Sequence, residues 1–402
     1  MAAFGPYHRR LFVFLSVASF FEGFDYYALA QLLPELRTAF ALSIRQGTQL
    51  VSVINIGMVL SFFLARQGDR LGRRRLLSVT IFGYMLFTGL SAACQTAAQF
   101  AVCQLLARLF QSAEVATVMV FAAEEFAAER RGFVLGIIQG SSALGAIVCA
   151  GVTPFLTSTR LGFRAVYLVG SLPLLLLSYL RRNLRETERF QKTGPANLSF
   201  LRLLRSGYLR RLALFSAIWA CVMFCTQSAL LFWKDFAVSV RHFSTAQVAA
   251  YLTVAALLSL PLSFSVGKLL DAAGRRFSAV VVFGLSIFGV LVSYTGAHPA
   301  VLTLGVLLGV AGTTCMLSVL QTLTTEVFPT AIRAEAFSVA NSLIGRSSAV
   351  VSPLLVGTLC SRWGYGPAVQ MTALGPLVAL SLILFFVKET AGKDLEETSG
   401  RR

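Results

Sequence analysis

Five ionisable side chains stand inside long apolar stretches of the sequence, namely Glu22, Asp25, Arg108, Glu114 and Arg346. A charge at the centre of a bilayer costs about 3 kcal/mol even on lenient insertion scales, so each of them should face the protein interior and have a partner. Glu22 and Asp25 are three residues apart and share a helix face, so their carboxylates repel each other when both are ionised. This repulsion favours a protonated form of one of them. The residues therefore predict a buried site that binds and releases a proton.

Arg346 has no acidic residue near it in its own apolar stretch. A guanidinium group can bind a carboxylate or a phosphate through two hydrogen bonds, so we predict that Arg346 contacts an anionic small molecule. The structural alternative is permanent neutralisation by Glu22 or Glu114. Amides in apolar helices could complete a polar binding site, although they also commonly bond to neighbouring helices. The candidate amides and rings are Asn55, Gln139, Gln227, Gln321, Asn341, Tyr26, Trp219 and Trp233.

Composition and the pattern of apolar stretches indicate a chain embedded in lipid. Of the 402 residues, 56% are hydrophobic and only 13% are charged, which excludes an ordinary water-soluble domain. A helix of about 20 apolar residues is long enough to cross the hydrocarbon core of a bilayer. We predict twelve such spans, at 11–33, 47–66, 75–96, 99–122, 132–155, 164–182, 211–233, 246–267, 277–297, 299–324, 334–358 and 367–387.

The net charge of +17 indicates a membrane topology rather than a nucleic-acid partner. Of the 35 lysines and arginines, seven fall in segments on the far side of the membrane from the N-terminus and two within spans, which leaves 26 on the near side. This bias follows the positive-inside rule and predicts that both termini are cytoplasmic. The seven cysteines show no metal-ligand spacing and most lie in the predicted spans, so we expect them to serve in packing.

The two halves of the sequence repeat each other at an offset of 202 residues, as in the pair Asp69 and Asp271. Repeated six-helix halves predict two pseudo-symmetric bundles, with the N-terminal bundle at 1–182, a cytoplasmic linker at 183–210 and the C-terminal bundle at 211–402. None of the five charges inside the spans has a like-charged counterpart at this offset. The charged and glycine residues around the repeated motifs are Asp69, Arg70, Gly72, Arg73, Glu124, Arg131, Asp271, Gly274, Arg275, Glu326 and Arg333.

These motifs resemble those of the major facilitator superfamily. The segment G-x-x-x-D-x-x-G-R-R after span 8, and its copy after span 2 with Ala65 in place of the first glycine, are similar to the family signature. Further motifs are similar to those of the sugar-porter and metabolite:proton symporter branches. They are the spacing of seven residues from Glu to Arg after spans 4 and 10, Arg-Glu-Thr after span 6 and Lys-Glu-Thr after span 12. Glu22-Gly-Phe-Asp25 and Gly345-Arg346 are similar to the organic-acid:proton symporters, particularly those of aromatic acids. Ser112 and Glu114 depart from these families, which have glycine there.

The resemblance implies an all-α membrane protein of twelve transmembrane helices and assigns roles to several residues. Asp25 falls where the families place a proton-coupling acid, and Arg108 falls where they place the partner of that acid. The structural alternative is that Asp25 and Arg108 form a permanent pair that joins two helices. Glu22 and Glu114 are further candidates for proton coupling. The motif residues after spans 2, 4, 8 and 10 would form a reversible cytoplasmic gate of charge pairs. The alternative is that they are solvated loop charges.

Residues and resemblance together predict a secondary active transporter that carries a small organic anion by proton-coupled symport and alternating access. A proton-coupled sugar or polyol symporter is the main alternative, and a drug:proton antiporter is less favoured because Gly145, Gly151 and Pro154 lack the compact spacing of that group. The motifs assemble no catalytic set, so we expect no enzyme. We expect a monomer in a bacterial inner membrane that uses no cofactor or metal, takes its energy from the proton gradient and binds no nucleic acid.

Overall fold

The computed structural model describes residues 5–126, 128–180, 207–295, 298–329 and 332–390, and the predicted linker at 183–210 lies almost wholly outside them. Twelve helical segments follow one another through the described residues, one at each predicted span. The prediction of an all-α membrane protein is therefore confirmed. The helices, labelled in chain order, are α1 (Pro6–Ala39), α2 (Ile44–Arg66), α3 (Arg73–Ser91), α4 (Ala97–Glu125), α5 (Ala128–Thr157), α6 (Phe163–Leu180), α7 (Leu209–Leu231, continued as Trp233–Ser239), α8 (Thr245–Ala273), α9 (Arg275–Thr295), α10 (Pro299–Val327), α11 (Arg333–Phe337, a π-helical segment Ser338–Gly345 and Arg346–Trp363) and α12 (Tyr365–Gln370, a 3₁₀ turn Met371–Ala373 and Leu374–Phe386).

Lipid is the solvent that suits the outer surface of these helices. Within the described residues, nine of the helical spans are long and apolar enough to cross a membrane by length and composition. Large apolar side chains point outward from them: Phe155 is 75% exposed and Phe385 is 83% exposed. An α-helix satisfies its own backbone hydrogen bonds, so it can present such a surface to hydrocarbon.

The chain divides into two compact units. The N-terminal unit contains residues 1–41 and 53–197, and the C-terminal unit contains residues 42–52 and 198–402. The predicted bundle boundaries at 182 and 211 fall where the structure describes little, so they stay a prediction. In the N-terminal unit, α1 packs on α5 and α3 packs on α4 around buried residues such as Leu15, Tyr84 and Phe121.

Small residues let helices approach closely in both units. A Cβ atom on Gly23 of α1 would lie 1.9 Å from the backbone oxygen of Ser142 on α5, and one on Gly289 of α9 would lie 2.3 Å from the backbone nitrogen of Gly309 on α10. Close backbone contact of this kind is a main source of helix association in membranes, where apolar burial gives no advantage over lipid. The polar side chains on α1 are held at short range from α5 for this reason.

Two of the helix boundaries that differ from the sequence prediction change the surroundings of a functional group. Helix α3 ends at Ser91, so Cys94 lies in the connection to α4 rather than inside a span. Thr96 and Gln99 form a capping box that starts α4 anew, which explains the early stop of α3. Helix α7 is interrupted at Phe232, and its continuation buries Lys234 and Asp235, which lie beyond the predicted span at 211–233.

Candidate functional site

Asp25 is the buried acid at the centre of the N-terminal unit. Its side chain is only 4% exposed, and its Oδ2 accepts a hydrogen bond from Thr88 Oγ1 on α3 at 3.2 Å. Its Oδ1 has no hydrogen-bond partner among the described residues. Gly170 of α6 faces this oxygen, since a Cβ atom there would lie 3.6 Å from it. The carboxyl group is thus enclosed by three helices, and its Oδ1 accepts no hydrogen bond from the described residues.

Arg108 on α4 lies beside this acid but is hydrogen-bonded to other groups. Its Nη1 donates to Gln111 Oε1 at 3.2 Å, and its Nη2 donates to the carbonyl oxygen of Tyr26 at 3.4 Å. Its guanidinium carbon also lies 4.4 Å from the centre of the Tyr26 ring, within cation–π range. Asp25 attracts it electrostatically without a direct hydrogen bond. Asp25 and Arg108 are therefore neighbours that share no direct hydrogen bond, and the role of this pair in proton coupling stays a prediction.

Glu22 anchors the same stretch of α1 to two further helices. Its Oε2 accepts from Ser142 Oγ on α5 at 2.8 Å, and its backbone oxygen accepts from Gln111 Nε2 on α4 at 2.9 Å. Tyr84 on α3 donates to the neighbouring carbonyl of Phe21 at 3.1 Å. These bonds are made to the polar side of α1 from three directions, so they fix the position of both acids.

Glu114 is the third acid of this unit and the most enclosed, at 1% exposure. Its Oε2 has no hydrogen-bond partner in the part of the chain that the structure describes, and Glu22 repels it electrostatically. Tyr84 lies within electrostatic range of all three acids and of Arg108, so the four charged groups share one region of the unit.

In the C-terminal unit, Arg346 follows directly after the π-helical segment of α11 and is half-buried. Asn341, inside that segment, has a buried Oδ1 without a hydrogen-bond partner among the described groups. A π-helical turn displaces side chains from regular helical positions and is frequent at functional sites. Gly345 allows the segment to pack against Trp219, where a Cβ atom would lie 3.2 Å from the Trp219 Cβ.

The remaining predicted solute contacts differ in accessibility. Asn55 is buried in α2, Gln227 is half-buried in α7, and Gln139 and Gln321 are exposed. The expectation that Trp219 and Trp233 could stack on a solute is not supported, because both rings are 1% exposed.

Both tryptophans serve in packing. Trp219 Nε1 donates to Thr324 Oγ1 at 3.0 Å, and Trp233 Nε1 donates to the carbonyl oxygen of Ser293 at 3.2 Å. The Tyr26 ring, likewise a candidate for stacking, is half-buried and already faces Arg108.

The C-terminal copy of the predicted cytoplasmic gate contains a compact charge cluster. Arg275 Nη2 lies 2.8 Å from Glu326 Oε1, and Thr390 Oγ1 donates to Glu326 Oε2 at 2.5 Å. Glu389 accepts from the backbone N–H groups of Arg275 at 2.9 Å and Arg276 at 3.0 Å, so its carboxylate caps the N-terminus of α9. Gly274 makes the turn before α9 with a φ of +86°.

Other members of the predicted gate are only partly described. Arg333 donates through Nε to the carbonyl oxygen of Phe328 at 3.1 Å, and Gly72 has a φ of +93° like its counterpart Gly274. The remaining side chains lie outside the described ones, and their predicted roles stay predictions: Asp69, Arg70, Arg73, Glu124, Arg131 and Asp271.

Sequence reasoning missed several residues that hold these groups in place. Thr88, Gln111 and Ser142 are the hydrogen-bond partners of the α1 and α4 charges, and Glu389 completes the charge cluster. Gln111 could have been found, because it lies three residues after Arg108 and therefore on the same helix face. Glu389 lies in the Lys-Glu-Thr motif noted after span 12, whereas Thr88 and Ser142 come from distant parts of the chain and carry no local signal.

Comparison with known proteins agrees with this architecture. The sequence profile of the Major Facilitator Superfamily matches residues 15–350. The chain belongs to this superfamily of multi-pass membrane transporters and is not an enzyme.

Several proteins are similar to the chain over nearly their whole length. The chain is 27% identical to the putative niacin/nicotinamide transporter of Bacillus subtilis, over 96% of this chain and 98% of that protein. It is 24% identical to the cis,cis-muconate transport protein of Acinetobacter baylyi, over 94% of each. A crystal structure of a D-xylose-proton symporter matches with a TM-score of 0.79 at 18% identity, over 96% of this chain and 99% of that one. The structural likeness shows the shared twelve-helix fold.

Proposed function

We propose that this transporter carries a small organic anion, a carboxylate metabolite, together with protons by alternating access. The observation that carries the proposal is the excess of buried acid in the N-terminal unit. Asp25 and Glu114 are both buried, and if both were ionised in the same interior as the buried Arg108, these three groups would have a net charge of −1. Unbalanced charge in a low-dielectric interior is costly, so at least one of these carboxyl groups holds a proton when the group is closed to water.

Asp25 is the acid best placed to exchange that proton. A hydroxyl group both donates and accepts hydrogen bonds, so Thr88 can remain bonded to Asp25 whether the acid is ionised or protonated. Arg108 is held by Gln111 and Tyr26, so it does not depend on Asp25 for its position. Protonation of Asp25 therefore weakens the attraction between the two side chains without releasing the arginine. Glu22 and Glu114 are the further candidates for proton coupling.

Arg346 and Asn341 are the proposed contacts for the anion. Their place at the π-helical segment supports a binding role, and the amides Asn55, Gln139, Gln227 and Gln321 are further candidates. The relatives' names, a putative niacin/nicotinamide transporter and a cis,cis-muconate transport protein, support a small organic solute, and niacin and muconate are organic acids. The excess of basic residues on one side supports cytoplasmic termini, and the bacterial relatives support an inner-membrane location. The proton gradient would supply the energy, with no cofactor and with a monomer as the working unit.

Transport in proteoliposomes tests this proposal. Uptake of radiolabelled carboxylates, including nicotinate and muconate, and of sugars would be measured with and without an inward proton gradient. We expect a carboxylate to accumulate only with the gradient. Asp25→Asn should abolish accumulation and preserve exchange, because only the coupled step needs a proton.

Arg346→Ala tests the anion contact, with Arg362→Ala as its matched control because Arg362 is an exposed arginine at the far end of the same helix. We expect carboxylate uptake to fall in the first variant and to persist in the second. Equal uptake in both would make Arg346 a structural charge. Accumulation of sugars instead of carboxylates would favour the sugar symporter.

A further inference from the structure

Two thiols meet where α3 connects to α4. The sulfur atoms of Cys94 and Cys103 are 3.7 Å apart, and the Cys94 sulfur also lies 3.4 Å from the carbonyl oxygen of Leu90. A disulfide bond is about 2.05 Å long, so bond formation needs the sulfurs to approach by about 1.7 Å. Rotation of the two side chains can supply a movement of that size. We propose that Cys94 and Cys103 are an oxidation site that forms an intramolecular disulfide bond.

The backbone around both cysteines is held by bonds from three segments. Gln104 Nε2 on α4 donates to Ser91 Oγ at the end of α3, at 2.9 Å. Arg164 Nη2 at the start of α6 donates to the carbonyl oxygen of Cys94 at 3.2 Å. Thr96 accepts from the backbone N–H of Gln99 and so fixes the first turn of α4. The two thiols are therefore neighbours because the connection itself is ordered.

The two thiols differ in reactivity. Cys94 is 6% exposed, and this burial, together with its contact to Cys103, raises the pKa of the Cys94 thiol to about 11. Cys103 is the more exposed of the two. Because thiol–disulfide exchange needs both a thiolate and access to the reagent, Cys103 should react first.

The reaction is an exchange with an external disulfide, such as a low-molecular-weight disulfide or an exchange catalyst. The Cys103 thiolate attacks one sulfur of the reagent, which forms a mixed disulfide and releases one thiolate. The Cys94 sulfur then attacks the Cys103 sulfur, forms the internal bond and releases the second thiolate, which takes up the Cys94 proton. The protein loses two hydrogens as two protons and two electrons, and the reagent is reduced to two thiols.

Topology places this pair on the side of the membrane where disulfides persist. The run Arg73–Arg75 begins α3, and the positive-inside rule assigns that end to the cytoplasm. The opposite end of α3, with Cys94, then faces the exterior or the periplasm, both of which are oxidising. This inference depends on sidedness and does not depend on the solute or on proton coupling.

Peptide mass analysis tests the inference directly. The purified full-length protein would be treated with excess oxidised glutathione, denatured, alkylated and digested with trypsin. Both cysteines fall in one tryptic peptide, residues 76–108, because no Lys or Arg lies between Arg75 and Arg108. We expect this peptide to lose the mass of two hydrogens and to carry no alkyl group. Prior reduction should restore two alkyl groups.

Controls separate an internal bond from other outcomes. Cys103→Ser should leave Cys94 available for alkylation, whereas Cys315→Ser, on helix α10 of the C-terminal unit, should leave the oxidised peptide unchanged. Recovery of the doubly alkylated peptide, or of a peptide carrying glutathione, after treatment would overturn the proposal. The oxidised wild type should also melt at a higher temperature than the reduced form, and Cys103→Ser should remove that difference, since the bond constrains the unfolded chain.

Discussion

Gly145 on α5 lies against the backbone of α1, and replacing it with alanine tests how closely these helices must pack. A Cβ atom at Gly145 would lie 1.9 Å from the carbonyl oxygen of Phe20 and 2.8 Å from the backbone nitrogen of Phe24. Ordinary contacts begin at 3.4 Å, so the helices would have to separate by about 1.5 Å at this point. Backbone atoms cannot rotate away as a side chain can. We therefore expect Gly145→Ala to destabilise the protein.

The size of the effect follows from two opposing terms. Overpacking in a well-packed interior costs about 1–3 kcal/mol, while alanine in place of glycine inside a helix gains up to about 1 kcal/mol. Gly151 on the same helix is the matched control, since a Cβ atom there would meet nothing within 4 Å. Gly151→Ala should gain the helix term alone. The helix gain is common to both variants, so their stabilities should differ by the overpacking cost alone, about 1–3 kcal/mol.

Thermal unfolding of the purified variants in detergent would measure this difference. Gly151→Ala should melt at or above the temperature of the wild type, and Gly145→Ala clearly below it. Separation of α1 from α5 should also lengthen the hydrogen bond between Ser142 and Glu22, so gradient-driven accumulation should fall more than exchange does. Equal melting temperatures for the two alanine variants would refute the close-packing argument, because no steric term would then distinguish the two positions.

Two further substitutions test the buried polar groups. Glu114→Gln replaces the carboxyl group with a neutral amide of similar shape. The melting temperature should therefore stay near that of the wild type, while the proton dependence of accumulation should change. A large loss of stability would mean that an ionised Glu114 is paired. Tyr365→Phe removes the hydroxyl that donates to Asp235 Oδ2 at 2.8 Å and should lower the free energy of unfolding by about 1–3 kcal/mol. Tyr294→Phe should cost less, because the Tyr294 hydroxyl donates to a neutral group, the carbonyl oxygen of Ala229, at 2.8 Å. Thermal unfolding of both tyrosine variants would compare them, and a greater loss for Tyr294→Phe would contradict the ranking.

Helix positions and the family were predictable from the sequence because both follow from local patterns. A span needs only a run of apolar residues, and the repeated motifs around Asp69 and Asp271 are contiguous. The charged residues inside the spans were equally visible, since a charge in an apolar run is conspicuous at once. The interruption of α7 at Phe232 was not predicted, because the apolar run continues across it.

Tertiary structure alone decided how the charged residues are partnered. Similar intramembrane acids occupy different surroundings. Asp25 is bonded to Thr88 and Glu22 to Ser142, while Glu114 keeps one oxygen that has no hydrogen-bond partner among the described residues. Composition and periodicity determined that these acids must be buried, because lipid excludes them. Which hydroxyl group bonds to each acid depends on contacts between distant parts of the chain. Asp25 and Thr88 are separated by 63 positions and Glu22 and Ser142 by 120, and no local pattern encodes such contacts.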